Sequence, residues 1–357
     1  LQNPPKVGFE ARQVFDLKVS LHVIEFRAEI CEDDKGNRYT ADFPVEVAQP
    51  VQYGSNLKAH AVYMSQQQLI PYDRVRDHFR EQIQIPVSAG SIFNFNKDAF
   101  ERLSEYEKWV KNRLQQSQVL HADETSININ GKRRWLHTLS TAHLTLYFPH
   151  EQRGKIAMDE MGVLPHFQGI MCHDHWKPYY RYKCKHALCN AHHLRELQRA
   201  FEQDNQQWAV KMKNFLRKLR KKVESAGGSL SWEEQRRYRR FYCRILDKAE
   251  AECPPPEKGQ PTGKRGRQKR SKSRNLLERL KKFRGDTLRF MGSVAVPFTN
   301  NQAENDLRMV KVQQKISGCF RSKLGARMFC RIRSYLSTCR KNGVSATTAL
   351  QMLYQGE

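Results

Sequence analysis

The chain has 357 residues, enough for two or three domains and a substantial buried core. Its 62 Lys and Arg against 37 Asp and Glu leave a formal charge of +25, far more than solubility requires, so a polyanion is the expected partner. The absence of any long apolar run excludes a membrane helix and favours nucleic acid over a lipid surface.

The nine cysteines, at Cys31, Cys172, Cys184, Cys189, Cys243, Cys253, Cys319, Cys330 and Cys339, lack the even, close spacing of a disulfide scaffold, which implies a reducing cytosolic compartment. The chain opens on Leu1 with no initiator Met and no signal peptide, and reads as a fragment whose N-terminal part is missing.

Residues 1–50 read as a remnant N-terminal β-containing segment, with a strand at 18–24 and a turn at Asp33-Asp34-Lys35-Gly36-Asn37. Cys31 stands alone there, without the paired ligands of a zinc ribbon, so no metal is expected. From 51 to 118 the pattern is helical. Leu57, Ala61 and Met64 mark a helix over 56–67, Val75, Phe79 and Ile83 one over 72–83, and Ile92, Phe95 and Phe100 a third after a break at Ile85-Pro86-Val87. A fourth follows at 104–116. Two short helices around a tight turn fit a helix-turn-helix DNA-binding module and fit a small helical bundle equally well.

At Val119 the period changes to two. Strands are expected at 119–129, 133–139 and 144–148, with Asn130-Gly131 as a hairpin turn and Asp123 on the first strand. A helix at 154–161 and an apolar strand at 167–173, ending at Asp174, complete the run. This order of elements is that of an RNase H-like catalytic domain: an α/β fold with a mixed sheet flanked by helices, expected over 119–201 and resumed over 291–342. Residues 202–290 read as basic and helical, broken at Gly227-Gly228. Within them, 253–274 carries eight cations between Lys258 and Arg274 and reads as a disordered linker. Helices at 326–341 and 346–354 close the chain, the second within a separate C-terminal segment, 343–357.

The stretch 299–322, TNNQAENDLRMVKVQQKISGCFRS, organises the rest. Thr299 and Gln302 read as a capping box, starting a helix near Asn300. On that helix Glu304, Arg308, Lys311 and Lys315 share one face, beside an apolar stripe of Ala303, Leu307 and Val310. One carboxylate at the head of a basic row can hold a metal ion while the cations grip a phosphate backbone. The plain alternative is a surface helix with a Glu304–Arg308 ion pair.

Asp123, Asp174 and Glu304 are remote in sequence, but the inferred topology brings the first two onto neighbouring strands. Clustered carboxylates repel unless a cation is present, and Mg²⁺ or Mn²⁺ accepts oxygen ligands. Two such ions, about 3.5–4 Å apart, suit in-line phosphoryl displacement. Of Asp123 and Glu124 only one can face the site, because successive strand residues point to opposite sides.

Five motifs lie in order along the chain: His121-Ala122-Asp123-Glu124-Thr125, HDHW around Asp174, CNAHHLREL at 189–197, NNQAEN at 300–305 and QKISGCFRS at 314–322. Together they resemble the bacterial insertion-sequence transposases of the IS66 family, over roughly 51–341. The resemblance implies a DDE transposase with Asp123, Asp174 and Glu304 as catalytic triad and metal ligands, and makes the basic helical region 202–290 an insertion between the second Asp and the Glu. It implies metal-dependent cleavage and strand transfer at the ends of an insertion sequence, on the nucleoid in the bacterial cytoplasm. The expected partners are transposon-end and target DNA, further copies of the chain in the DNA complex, and accessory proteins of the same element, with no membrane. The alternative is a catalytically silent DNA-binding derivative acting as repressor or accessory subunit.

Two departures from the family accompany the match: its Cys-rich zinc-binding element is reduced to Cys31, and His175 replaces a small residue, often Gly, after the second Asp. Cys189 and His192, spaced Cys-x-x-His with Cys184, His186 and His193 nearby, read as a structural zinc site or as a packed thiol beside a hydrogen-bonded imidazole. Trp176 reads as core or pocket wall. Arg308, Lys311, Lys315 and Arg321 are candidate DNA phosphate contacts, against the alternative of a solvated face.

Overall fold

The computed structural model describes residues 7–256 and 270–356. It is an α/β structure whose centre is a five-stranded mixed sheet, surrounded by thirteen α-helices among the described residues.

A two-stranded hairpin of β1 (Ile30–Glu32) and β2 (Arg38–Thr40) precedes the main body. Its turn is the expected one: the Asp33 carboxylate accepts the Lys35 and Asn37 N–H groups at 2.9 Å, and Gly36 takes φ +81. The strand expected at 18–24 does not form. A strand exists only by pairing, and Val19, Leu21 and Val23 meet no sheet edge among the described residues; all three are exposed.

The central sheet follows the expected meander. β3 (Val119–Ile129) and β4 (Lys132–Ser140) pair antiparallel through Asn130-Gly131, both at positive φ (50 and 74), as a type I′ turn requires. β5 (Thr145–His150) adds to the outer edge of β4, while β6 (Ile170–His173) and β7 (Lys185–Leu188) add in parallel to the other side of β3. The spatial order is β5-β4-β3-β6-β7. β7, a four-residue strand, was not legible in the sequence pattern.

Both faces of the sheet are covered. Leu120, Ala122, Leu139 and Leu146 pack with Val110 and Leu114 of the helix Ser104–Gln115. Ile127, Ile129 and Tyr147 face Leu307 and Val310 of the helix Asn301–Ser317 and Phe329 of the helix Lys323–Lys341. The exposed edge of β5 is closed by side chains: Thr338 Oγ1 and Ser334 Oγ accept the Thr145 and Tyr147 N–H groups at 3.0 and 2.9 Å. Four residues of helix rise about 6 Å, close to the span of two strand residues, so hydroxyls at i and i+4 match successive edge donors.

The remaining helices form two bodies. Helices Asn190–Asp204, Gln207–Ser225, Trp232–Glu252 and Lys272–Lys282 enclose Trp208, Leu216, Tyr242, Leu246 and Leu277. Of the expected linker 253–274, residues 257–269 lie outside the described ones, but its far end is folded. Ser271 caps the helix Lys272–Lys282, and Arg274 is buried against Glu250, Glu278 and the Cys253 carbonyl, because two carboxylates neutralise it there.

The helices of 55–102 share one apolar core with the end of the chain, where Ile332, Leu336, Ala349 and Leu350 pack among Val62, Phe79 and Ile92. The segment 343–357 therefore has no core of its own, since its helix Ala346–Gln355 buries its apolar side against the helix Ser55–Val62. No helix among the described residues is long and apolar enough to cross a membrane.

Candidate active site

Strand alternation separates Asp123 from Glu124. Glu124 points to the side of Leu120 and Ala122 and is buried, with its carboxylate held by Arg153 (Nε 3.0 Å) and the Tyr179 hydroxyl (2.6 Å). Arg153 in turn lies over the rings of Trp135 and Trp176, at 4.7 and 4.4 Å from their centroids. Trp176 is thus a wall of this salt bridge.

Asp123 faces the other side, with His121, Ile127 and the helix Asn301–Ser317. Its Oδ1 accepts the Glu124 N–H at 2.9 Å. Burial pushes its carboxyl up to about 7, and the nearby charges of Glu124, Asp174 and Glu304 push in the same direction against that hydrogen bond. The charges of Asp174 and Glu304 thus reach Asp123, but among the described residues the ligand atoms of the three acids do not all lie within 4.8 Å of one another.

The register explains how Asp174 comes near. His121 pairs with Cys172 across the parallel β3–β6 contact, and continuing that pairing by two residues sets Asp123 opposite Asp174, just past the end of β6. Asp174 Oδ1 accepts the Trp176 N–H at 2.9 Å, which folds the chain sharply after the strand. Inside that turn His175 adopts φ +75, the left-handed region that glycine tolerates best. Its ring compensates by donating or accepting with the Tyr180 hydroxyl at 3.0 Å and meeting Phe283 edge-on at 4.5 Å; burial and nearby cations lower its pKa to about 4.

Glu304 lies in the first turn of the helix Asn301–Ser317. The expected capping box is not formed. The residue at the N-cap is Asn300, whose side chain is drawn away from the helix: it donates to the Ala122 carbonyl at 2.9 Å and accepts from His121 Nδ1 at 2.8 Å. A buried amide in reach of two β3 groups satisfies more polar atoms there than a cap would. Its N–H donates to Cys189 Sγ at 3.1 Å. Asn300 thus joins β3, the Cys189 turn and the Glu304 helix.

Glu304 makes no ion pair with Arg308. Its Oε1 meets His192 Nε2 at 3.1 Å and lies 3.9 Å from Cys189 Sγ. Among the described residues these three form a cluster with metal-ligand chemistry, all ligand atoms lying within 4.8 Å. The other residues weighed for zinc go elsewhere: His186 bonds His173 at 3.1 Å, His193 bonds Asn190 at 3.1 Å, and Cys184 sits in the apolar core.

The whole basic row, Arg308, Lys311, Lys315 and Arg321, is exposed. Lys311 Nζ donates to the Ser126 carbonyl at 3.2 Å, and partial burial with Arg133 nearby lowers its pKa. Arg321 follows Phe320, whose N–H and carbonyl bond Asn128 and Asn130, so it stands beside the β3–β4 hairpin.

Sequence reasoning missed the contact of Glu304 with His192 and Cys189, and the positioning roles of Asn300, Arg153 and Tyr179. Asn300 sits within a quoted motif, but nothing in its spacing marks a side chain that bonds a strand 178 residues away.

No curated protein gives a significant match to the chain. The family model of the IS66 transposases matches residues 50–328, a span that contains every residue of the site just described. The chain belongs to the IS66 family of transposases.

Proposed function

We propose that this transposase is a DDE enzyme, cleaving and joining DNA at the ends of an insertion sequence, with Asp123, Asp174 and Glu304 as its metal-binding triad. The observation that carries the reading is the strand register that, continued two residues past His121–Cys172, sets Asp123 beside Asp174, with Glu304 on the neighbouring helix close enough for its charge to act on Asp123; in this arrangement Glu304 is turned to His192 and Cys189, so the reading requires it to swing towards the aspartates. The sheet order, three antiparallel strands followed by two parallel ones, supports an RNase H-like catalytic domain.

The donor set fits a hard divalent cation. Carboxylate oxygens are the ligands Mg²⁺ and Mn²⁺ take, and a cation would offset both the burial that chiefly pushes Asp123 up and the smaller repulsion from the neighbouring carboxylates. When bound, two such ions would activate a water or DNA 3′-hydroxyl and stabilise the departing oxygen. Asn300, bonded to His121 and Ala122, holds the Glu304 helix against β3. Arg153 and Tyr179 neutralise Glu124 on the opposite face and leave Asp123 as the acid on the site. Arg308, Lys311, Lys315 and Arg321 serve as phosphate contacts along one side of it.

A second reading is a catalytically silent DNA-binding derivative. It is favoured by the engagement of Glu304 with His192 and Cys189. Labelled transposon-end DNA with Mg²⁺ or Mn²⁺ separates the two. The enzyme nicks and joins, and Asp123→Asn, Asp174→Asn and Glu304→Gln each lower cleavage by about 10²-fold or more, on the scale of removing one essential electrostatic group. The three variants keep a salt-sensitive shift. A wild-type shift without nicks supports the silent reading.

A further inference from the structure

Glu304 stands between two sets of ligands of different chemical character. On one side are the oxygens of Asp123 and Asp174; on the other are a thiol and an imidazole. We propose that Cys189, His192 and Glu304 form an inhibitory zinc site, whose occupancy holds Glu304 away from the aspartates and arrests strand cleavage. The proposal rests on the triad reading above.

The geometry matches the ion. Tetrahedral zinc, with bonds of about 2.3 Å to sulfur and about 2.0–2.1 Å to nitrogen and oxygen, separates neighbouring ligand atoms by roughly 3.3–3.6 Å. The Glu304 oxygen is 3.1 Å from His192 Nε2 and 3.9 Å from Cys189 Sγ, values that straddle this range. Cys189 directly precedes the helix Asn190–Asp204, and His192 follows three residues on, within its first turn. The Asn300 N–H donated to Cys189 Sγ orients the sulfur; burial holds the metal-free thiol protonated, and the ion displaces that proton on binding.

The site is reachable from one side. Cys189 is buried, while the side chains of His192 and Glu304 are 38% and 35% exposed, so an ion can enter past them and a water can take the fourth position. Thiolate and carboxylate together balance the charge of the ion, and binding releases the thiol proton to solvent. Sulfur and imidazole select zinc over Mg²⁺, whereas the all-oxygen side prefers Mg²⁺. Zinc would fix the Glu304 side chain in its orientation towards His192 and Cys189, and the two metals compete through that orientation.

Cobalt(II) reports the site independently of activity, because a thiolate–cobalt bond gives near-ultraviolet charge-transfer absorption and tetrahedral cobalt gives visible bands. The full-length protein is expected to show both, and Cys189→Ser to lose the charge-transfer band although eight other cysteines remain. His192→Ala and Glu304→Gln should each weaken cobalt affinity by about tenfold or more. In parallel, end cleavage at fixed Mg²⁺ is measured with and without zinc. The wild-type ratio should fall about tenfold or more, and the Cys189→Ser ratio should stay near one. If circular dichroism shows Cys189→Ser unfolded, His192→Ala takes its place in both measurements. Absence of the thiolate band, or a band unchanged by these substitutions, overturns the zinc site; so does cleavage indifferent to zinc. Cobalt binding with no Mg²⁺-dependent cleavage keeps the site and removes the triad reading instead.

Discussion

The side-chain amide of Asn300 reaches the main-chain carbonyl of Ala122 across 2.9 Å, tying the residue that opens the Glu304 helix to the residue just before Asp123. Two segments remote in sequence are thereby held in one register. Replacing Asn300 with Ala leaves the Ala122 carbonyl and His121 Nδ1 without their partner in a buried place. At about 1–3 kcal/mol per unsatisfied group, the loss should be roughly 2–6 kcal/mol, visible as a lower urea midpoint with unchanged slope. End cleavage should fall further than stability alone explains, because Glu304 loses its anchor.

The acidity of Asp123 predicts a pH dependence of known sign. Its carboxyl sits at about 7 in the folded protein against 3.8 ordinarily, so between those values the folded state retains a proton that the unfolded chain has released. Stability from this group is therefore present at low pH and is lost as pH rises towards 7. In metal-free protein, Asp123→Asn should raise Tm over wild type, by more at about pH 8 than at about pH 5. Added Mg²⁺ should raise the wild-type Tm mainly at the higher pH and do little for the variant. Equal Tm shifts at both pH values would contradict the assignment.

Arg153 is expected to matter for the fold more than for chemistry. Glu124 is buried while Arg153 is partly exposed, so removing Arg153 leaves a buried carboxylate without its cation at about 1–3 kcal/mol, part of which the Tyr179 hydroxyl bond offsets. Arg153→Met should thus lower the denaturation midpoint. The double variant Arg153→Met with Glu124→Gln should recover much of it, since no bare charge remains.

His175 tests the backbone after β6. The left-handed conformation costs a non-glycine residue about 1–2 kcal/mol, which His175→Gly relieves while forfeiting the contacts with Tyr180 and Phe283. The net change should be within about 1 kcal/mol. A β-branched residue keeps the strain and loses the contacts, so His175→Val should be clearly less stable and should cleave more slowly as Asp174 shifts.

For the basic row, salt titration of DNA binding is the direct measurement. Arg308→Ala, Lys315→Ala and Arg321→Ala should each reduce the slope of log affinity against log salt by about one, without changing sequence preference. Lys311→Ala should change it less, because its ammonium is already bonded to the Ser126 carbonyl.

The legible parts of this fold are those written in local periodicity. The β3–β4–β5 meander follows from alternation around Asn130-Gly131, and the stripe of Ala303, Leu307 and Val310 marks the buried side of its helix. Alternation misled at 18–24, where the pattern of a strand is present and the pairing edge is not. It was silent at β7, whose four residues are too few to show a period. Asp123 and Asp174 could be placed on neighbouring strands because the order of elements implies it. The turn of Glu304 towards His192, 112 residues away, depends on side-chain orientation that no local pattern encodes.

The common core of the first and last helices bears on how the protein is made. Val62, Phe79 and Ile92 are synthesised long before Ile332 and Leu336, their packing partners. At about 5–20 residues per second, the roughly 230 residues between these segments take on the order of 10–50 s to translate. For that interval the early helices present a bare greasy flank to the solvent, so the yield of intact protein should depend on chaperones that meet nascent chains and on translation speed.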